Sequence, residues 1–293
     1  MNASTDSLTL ENLQPFGVVA RPAVGCGINR LDQLASAAIT DLVAEHKFVV
    51  LRGFNQVSEQ DLTALARRFG PLLRWDFGEV LNLKVVERAQ NHLFRNGRVE
   101  MHWDGAYLTE VPPLSLFQCI HSSQATPGGE TLFTHTPRVV DMLDEAELAA
   151  WSVATIRYAT ERAAHYCGDV TVPLLGKHPR TGETVIRFIE PYNEDNADIN
   201  PVEVQVVGLP DEQQEPFLRR VIDRIYDPAV MYRHAWQTGD FLIYDNLALL
   251  HGRARLEDNA NRHLQRVHIL EHHGSLESRP PVFIGARQMD VHV

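Results

Sequence analysis

Three side chains carry the chemistry this sequence offers: His102 and Asp104, separated by one tryptophan in "MHWDGAYLTEVPP", and His251 in "DNLALLHGR". Residues i and i+2 of a β-strand point to the same face. His102 and Asp104 therefore aim an imidazole and a carboxylate at one point, where they could handle a proton in transit or a divalent metal. The pair alone decides little, because a chain with fourteen histidines contains about one His-x-Asp by chance. A third group is needed, and His251 supplies it at the end of an apolar strand read from Phe241 to Leu250.

Two imidazoles and one carboxylate, with no fourth protein ligand suggested, leave coordination positions open, which is the arrangement of non-haem Fe(II) oxygenases. Arg262 and Arg266 follow, four apart on one face of a returning strand. Two guanidiniums entering an apolar β-core need anionic partners. Protein carboxylates could serve, and so could a small dicarboxylate held through paired hydrogen bonds.

These side chains must be positioned by a folded core. The 293 residues are 44% hydrophobic and 22% charged, as expected of a globular chain with ample core. A net charge of −11 without a basic run argues against a nucleic-acid partner. Three scattered cysteines, Cys26, Cys119 and Cys167, make neither a disulfide framework nor a zinc knuckle. No stretch reads as a signal peptide or a membrane span, so the expected compartment is the cytoplasm. The expected partner is a small molecule, and a homo-oligomer is compatible with the composition.

Strands are expected at Phe48 to Phe54, "LKVV", Leu114 to Ser122, after the Gly128–Gly129 turn, and at "SVATIRYA", "TVIRFIE", "GDFLIYDNLALLHGR" and "HLQRVHILE". Helices are expected at "RLDQLASAAITDLVAEHKF", after Ser58, in two pieces capped by Thr136 and Asp144, and after a cap at Asp211. Many short strands with few helices predict a mixed α and β chain built on a double-stranded β-helix (jelly-roll) core with flanking helices. Residues 1–293 are read as a single domain, with 1–15 expected to be poorly ordered. No dinucleotide or phosphate-loop glycine motif appears.

His-x-Asp, the distal His251 and an arginine eleven residues later resemble the taurine-dioxygenase family of Fe(II)/2-oxoglutarate oxygenases. Thr131 in "PGGETLF" matches that family's usual threonine. The resemblance implies Fe(II), 2-oxoglutarate and O2, with His102, Asp104 and His251 as metal ligands. It implies that Arg262, assisted by Thr131, holds the distal carboxylate of 2-oxoglutarate, and that Arg266 lies near the chelating carboxylate or a substrate anion. The oxidant would be an iron-bound oxo group, with no side chain assigned as acid or base. "HWDGAYLTEVP", "AAHY", "DNLALLHGR", "RHLQRVHI" and "WDFGEVL" are further similar to the isonitrile-tyrosine oxygenases of that family. By that similarity, the expected reaction is oxidation of L-tyrosine isonitrile at its benzylic carbon, giving a vinyl isonitrile or an unsaturated isonitrile acid. Asn96, Tyr107, His165, Tyr166 and Phe77 are the candidate substrate contacts. The alternatives are a hydroxylase of another small amino acid or sulfonate, and a non-catalytic cupin-like metal-binding module. A halogenase is disfavoured because its halide takes the place of the carboxylate that Asp104 supplies.

Overall fold

A computed structural model describes residues 5–75, 77–86, 89, 91–108, 110–123, 128–160, 168–191, 194–196, 198, 202–257 and 261–271. The first strands in chain order are β1 (Leu8–Asn12), β2 (Val18–Pro22), β3 (Phe48–Leu51), β4 (Leu81–Lys84) and β5 (Val99–His102). Then come β6 (Leu114–Ser122), β7 (Thr131–His135), β8 (Thr155–Thr160), β9 (Gly168–Pro173), β10 (Leu175–Lys177) and β11 (Thr184–Ile186). The last are β12 (Glu203–Val206), β13 (Met231–His234), β14 (Phe241–Asp245), β15 (Leu249–Arg253) and β16 (Arg262–Ile269). The helices are α1 (Ser36–His46), α2 (Glu59–Ala66), α3 (Thr136–Asp141), α4 (Glu145–Val153) and α5 (Asp211–Ile225).

A seven-stranded sheet, ordered β1-β2-β3-β14-β6-β16-β4, faces a four-stranded sheet ordered β13-β7-β15-β5. Side-chain alternation assigns each strand's two faces. Phe117, Leu242, Tyr244 and Leu264 of the large sheet pack against Phe133 and Leu249 of the small one in the sandwich interior. Their neighbours Leu116, Ile243 and Val267 face outward, where Ile39, Leu42 and Leu62 of α1 and α2 cover them. Leu132 and Leu250, on the back of the small sheet, pack with Trp151 of α4 and Val221 of α5. This is the expected jelly-roll core with flanking helices. No helix among the described residues is long and apolar enough to cross a membrane.

Several local expectations are corrected. The run from Phe241 to His251 is two strands in different sheets rather than one, because Asp245 turns the chain. Its Oδ1 accepts from the backbone N–H of Leu247 at 2.9 Å and of Ala248 at 3.2 Å. His135 rather than Thr136 caps α3, its Nδ1 accepting from Arg138 N–H, while the Thr136 hydroxyl donates to the Ala248 carbonyl at 2.7 Å. Pro210 occupies the cap of α5, and Asp211 is already helical. Residues Leu8–Asn12, in the stretch expected to be poorly ordered, pair with Val18–Pro22. Ser58 and Asp144 cap α2 and α4 as expected, Asp144 within a capping box.

Candidate active site

Antiparallel pairing of β15 with β5 sets His251 directly opposite His102, and their ring centroids lie 4.3 Å apart. Gly252 permits this approach, since a Cβ there would sit 2.7 Å from the Val99 carbonyl. Asp104 follows in the turn after β5, where Asn246 holds it by the backbone. Asn246 accepts from Asp104 N–H at 2.9 Å and donates to the carbonyls of Asp104 at 2.9 Å and Pro112 at 2.8 Å. The ligand atoms of His102, Asp104 and His251 all lie within 4.8 Å of one another. His102 Nε2 is 3.8 Å from Asp104 Oδ1, and His251 Nε2 is 3.4 Å from Asp104 Oδ2.

The donor set fits a divalent first-row metal. His102 directs Nδ1 to the Glu100 carbonyl at 2.8 Å, which fixes the tautomer and turns the Nε2 lone pair inward. His251 is buried, and burial, then the neighbouring His102, holds its pKa well below the usual imidazole value, so the ring is neutral as a ligand must be. Burial would raise the Asp104 carboxyl, but Arg266 and the imidazoles of His268, His251 and His102 outweigh it and keep the group ionised. Arg266 donates to both Asp104 oxygens, at 3.2 and 3.1 Å, and the Tyr244 hydroxyl donates to Oδ2 at 3.0 Å.

Two cavities meet at His102 and Arg266. The smaller is lined by Arg253, Arg262, Thr131, Phe117 and Leu264 together with His251. Arg262 donates to the Gly129 carbonyl, and its Nε is buried without a partner. Burial pushes this guanidinium down to about 10, so an anion beside it would be favoured. Gly129 adopts φ +75°, and a Cβ there would run into Leu256, so this turn needs glycine to present its carbonyl to Arg262. The Thr131 hydroxyl accepts from Trp236 Nε1 at 2.9 Å and keeps its own proton to donate.

The larger cavity is walled by Trp75, Trp103, Tyr107, Ile189 and Val202 and reaches Asp104 and His268. Tyr107, one of the candidate substrate contacts, is among its lining residues. Trp103 packs against Tyr158 as a core residue should, yet it also borders this cavity. Phe77 lines neither cavity and stacks on Trp75 at 6.0 Å. Asn96 lines neither, and its carbonyl accepts from Leu256 N–H at 2.8 Å. His165 and Tyr166 lie outside the described residues.

Sequence reasoning missed Arg253, Tyr244 and His268. Alternation from His251 reaches Arg253, and alternation from Arg262 through Arg266 reaches His268. Arg253 spends its donors on the carbonyls of Leu93 at 2.8 Å and of Arg95 and Gly97 at 2.6 Å, tying the loop after β4 to the site.

Residues 10–268 match the family of taurine catabolism dioxygenase TauD and TfdA. The chain belongs to that family. It is an Fe(II)/2-oxoglutarate-dependent oxygenase that takes O2 as oxidant. Among its relatives, 3-((Z)-2-isocyanoethenyl)-1H-indole synthase of Fischerella ambigua is 42% identical over 89% of this chain and 95% of that protein. Tyrosine isonitrile desaturase of Erwinia amylovora is 38% identical over 89% of this chain and 90% of that protein. PvcB from Pseudomonas aeruginosa superposes with a TM-score of 0.77 at 33% identity, covering 92% of this chain and 94% of that one. PvcB is described as an Fe, alpha-ketoglutarate dependent oxygenase from an isonitrile synthetic pathway.

Proposed function

We propose that this TauD-family oxygenase, read as one domain, desaturates an aromatic amino-acid isonitrile, L-tyrosine isonitrile, by attack at its benzylic carbon. The observation that carries this reading is the match, over most of both chains, to enzymes named for aromatic isonitrile chemistry. The cavity agrees with it: the aromatic rings of Trp75, Trp103 and Tyr107 line it together with His102 and Asp104.

His102, Asp104 and His251 would hold the iron, which when bound supplies the power to remove a hydrogen atom from the benzylic C–H bond. Arg262 receives the distal carboxylate of 2-oxoglutarate in the smaller cavity, with the Thr131 hydroxyl donating beside it. Arg266, on the wall between the two cavities, keeps Asp104 ionised and oriented. Trp75 and Tyr107 place the substrate ring and exclude water from the C–H bond to be broken. Both outcomes are two-electron oxidations. Loss of the α-proton leaves an unsaturated acid, and loss of the carboxylate as CO2 leaves a vinyl isonitrile. Either way one O2 is consumed, and one 2-oxoglutarate becomes succinate and CO2, so the vinyl product is marked by a second CO2 per succinate.

A second reading, the indole analogue as substrate, has a specific motive in the 42% identity to the indole-named relative. The test offers L-tyrosine isonitrile, L-tryptophan isonitrile, free tyrosine and taurine to the Fe(II)-loaded enzyme and measures succinate and product mass. Succinate formation stimulated by an isonitrile, with loss of two hydrogens or of CO2 and two hydrogens, supports the reading. Stimulation by taurine or tyrosine alone refutes it.

A further inference from the structure

Two imidazoles that neither the proposed metal site nor the 2-oxoglutarate site uses line the larger cavity, His92 and His268. His268 is buried at the end of β16, beside Arg266 and the indole of Trp75, whose ring centroid is 6.1 Å from its own. Its Nδ1 is fixed 2.8 Å from the Ser115 hydroxyl, and β16–β6 pairing sets His268 opposite Ser115. Its Nε2 lies 3.8 Å from Asp104 Oδ2, beyond hydrogen-bond length.

The Asp104 carboxylate beside Nε2, rather than the Ser115 hydroxyl, selects the tautomer. If the ring kept its proton on Nδ1, the Nε2 lone pair would face the Asp104 carboxylate, acceptor against acceptor. With Ser115 donating to Nδ1, the proton sits on Nε2 and faces the carboxylate and the cavity instead. The ring's protonation state is not at issue, since the imidazolium presents the same Nε2–H. The neighbouring Arg266 is the sole cation among the described residues lining this cavity, and its Nε is buried without a hydrogen-bond partner. Of the acidic groups there, Glu100 accepts from Asn196 at 3.1 Å, and Asp104 is the proposed metal ligand.

An amino acid converted to its isonitrile has lost its ammonium, so its remaining charge is the carboxylate. We propose that His268, oriented by Ser115, is a specificity-determining residue whose Nε2–H, beside Arg266, receives the carboxylate of the isonitrile substrate. This rests on the isonitrile reading above. It also ties the reaction branch to the protein, because a carboxylate held by two donors is restrained at the carbon whose bond to CO2 must break.

The test compares L-tyrosine isonitrile with its neutral primary amide in the wild type, His268→Leu and His268→Gln, the last keeping an N–H donor at similar reach. Anaerobic calorimetry reads substrate affinity, and succinate formation reads KM and kcat. His268→Leu is expected to weaken the acid about 10- to 100-fold, the worth of one hydrogen bond to a charged group, while the amide moves about threefold or less. Gln should recover most of the acid's affinity, and Ser115→Ala should weaken the acid in the same direction by less. Equal losses for acid and amide, or an unchanged acid in His268→Leu, overturn the proposal. Unaltered stabilisation by 2-oxoglutarate certifies each variant as folded, and if His268→Leu fails that check, Gln and Ser115→Ala decide by the same acid-to-amide ratio. A wild type that binds neither compound defeats the isonitrile reading itself, whereas a wild type that turns over the acid while His268→Leu keeps its ratio defeats only this inference.

Discussion

Replacing Arg262 with alanine should separate co-substrate binding from folding. The guanidinium is 7% exposed, its Nε has no partner among the described residues, and it donates to the Gly129 carbonyl. Removing it relieves the desolvation that pushes its pKa down to about 10 and loses one acceptor contact. These terms oppose each other, so apo stability should change by no more than about 1 kcal/mol. Bound 2-oxoglutarate changes the balance, because truncating one partner of a buried charge pair costs about 2–5 kcal/mol. Affinity should then fall from about 30-fold to several thousand-fold. At 100 times its Kd, 2-oxoglutarate stabilises the wild type by about 2.7 kcal/mol, and a 100-fold weaker variant at the same concentration gains only about 0.4 kcal/mol. In melting temperature this is a shift of about 5 °C against less than about 1 °C. Anaerobic thermal unfolding with Fe(II), with and without 2-oxoglutarate, measures both quantities. A variant that keeps the full 2-oxoglutarate shift would refute the assignment, and one that loses several kcal/mol without ligand would make Arg262 a structural residue.

Asp104→Ala should abolish stoichiometric Fe(II) binding in an anaerobic titration; affinity equal to wild type would sink the proposed triad. Asn246→Ala removes three hydrogen bonds, of 2.9, 2.9 and 2.8 Å, from backbone groups of the buried residues Asp104 and Pro112. It should cost about 3–5 kcal/mol in denaturant unfolding and weaken iron binding, and a loss below about 1 kcal/mol would contradict that accounting. Burial, then the nearby Arg138, lowers His135 to about 4 from its usual 6.5, so between those values the unfolded chain binds a proton that the folded one refuses. Its contribution is complete above pH 6.5 and declines as pH falls toward 4, by at most about 1.4 kcal/mol per unit. His135→Asn keeps a capping acceptor for α3 without that proton and should flatten the acid slope of stability; an unchanged slope would refute it.

What the sequence revealed follows from how each strand is buried. β6 and β7 were legible because turn residues bracket them, and the Leu114–Ser122 boundaries agree at both ends. The corner between β14 and β15 was not. Phe241–Asp245 and Leu249–Arg253 are buried at every position, so the period-two signal that marks a face is absent and the apolar run reads straight through the turn. The caps at His135 and Pro210 were misplaced by one residue because each lies beside a conventional capping type, Thr136 or Asp211, that the chain uses otherwise.

His102, Asp104, His251, Arg262 and Arg266 could be singled out from residue type and spacing, whereas Thr131 was legible only through the family resemblance. Tyr244 and His268 could not be singled out, since a tyrosine or histidine on an apolar strand is usually satisfied locally. Only cross-strand register gives them meaning, by setting Tyr244 opposite Ser115 and Ser115 opposite His268. Both then converge on Asp104, the hydroxyl at 3.0 Å and the imidazole at 3.8 Å. A buried carboxylate facing Arg266 and three imidazoles stays ionised before any metal arrives, so the fold itself holds the ligand in its binding state. Arg266, the one cation among the described residues lining the larger cavity, then stands where the proposed anionic substrate would enter, which makes Asp104 and the substrate carboxylate rivals for it.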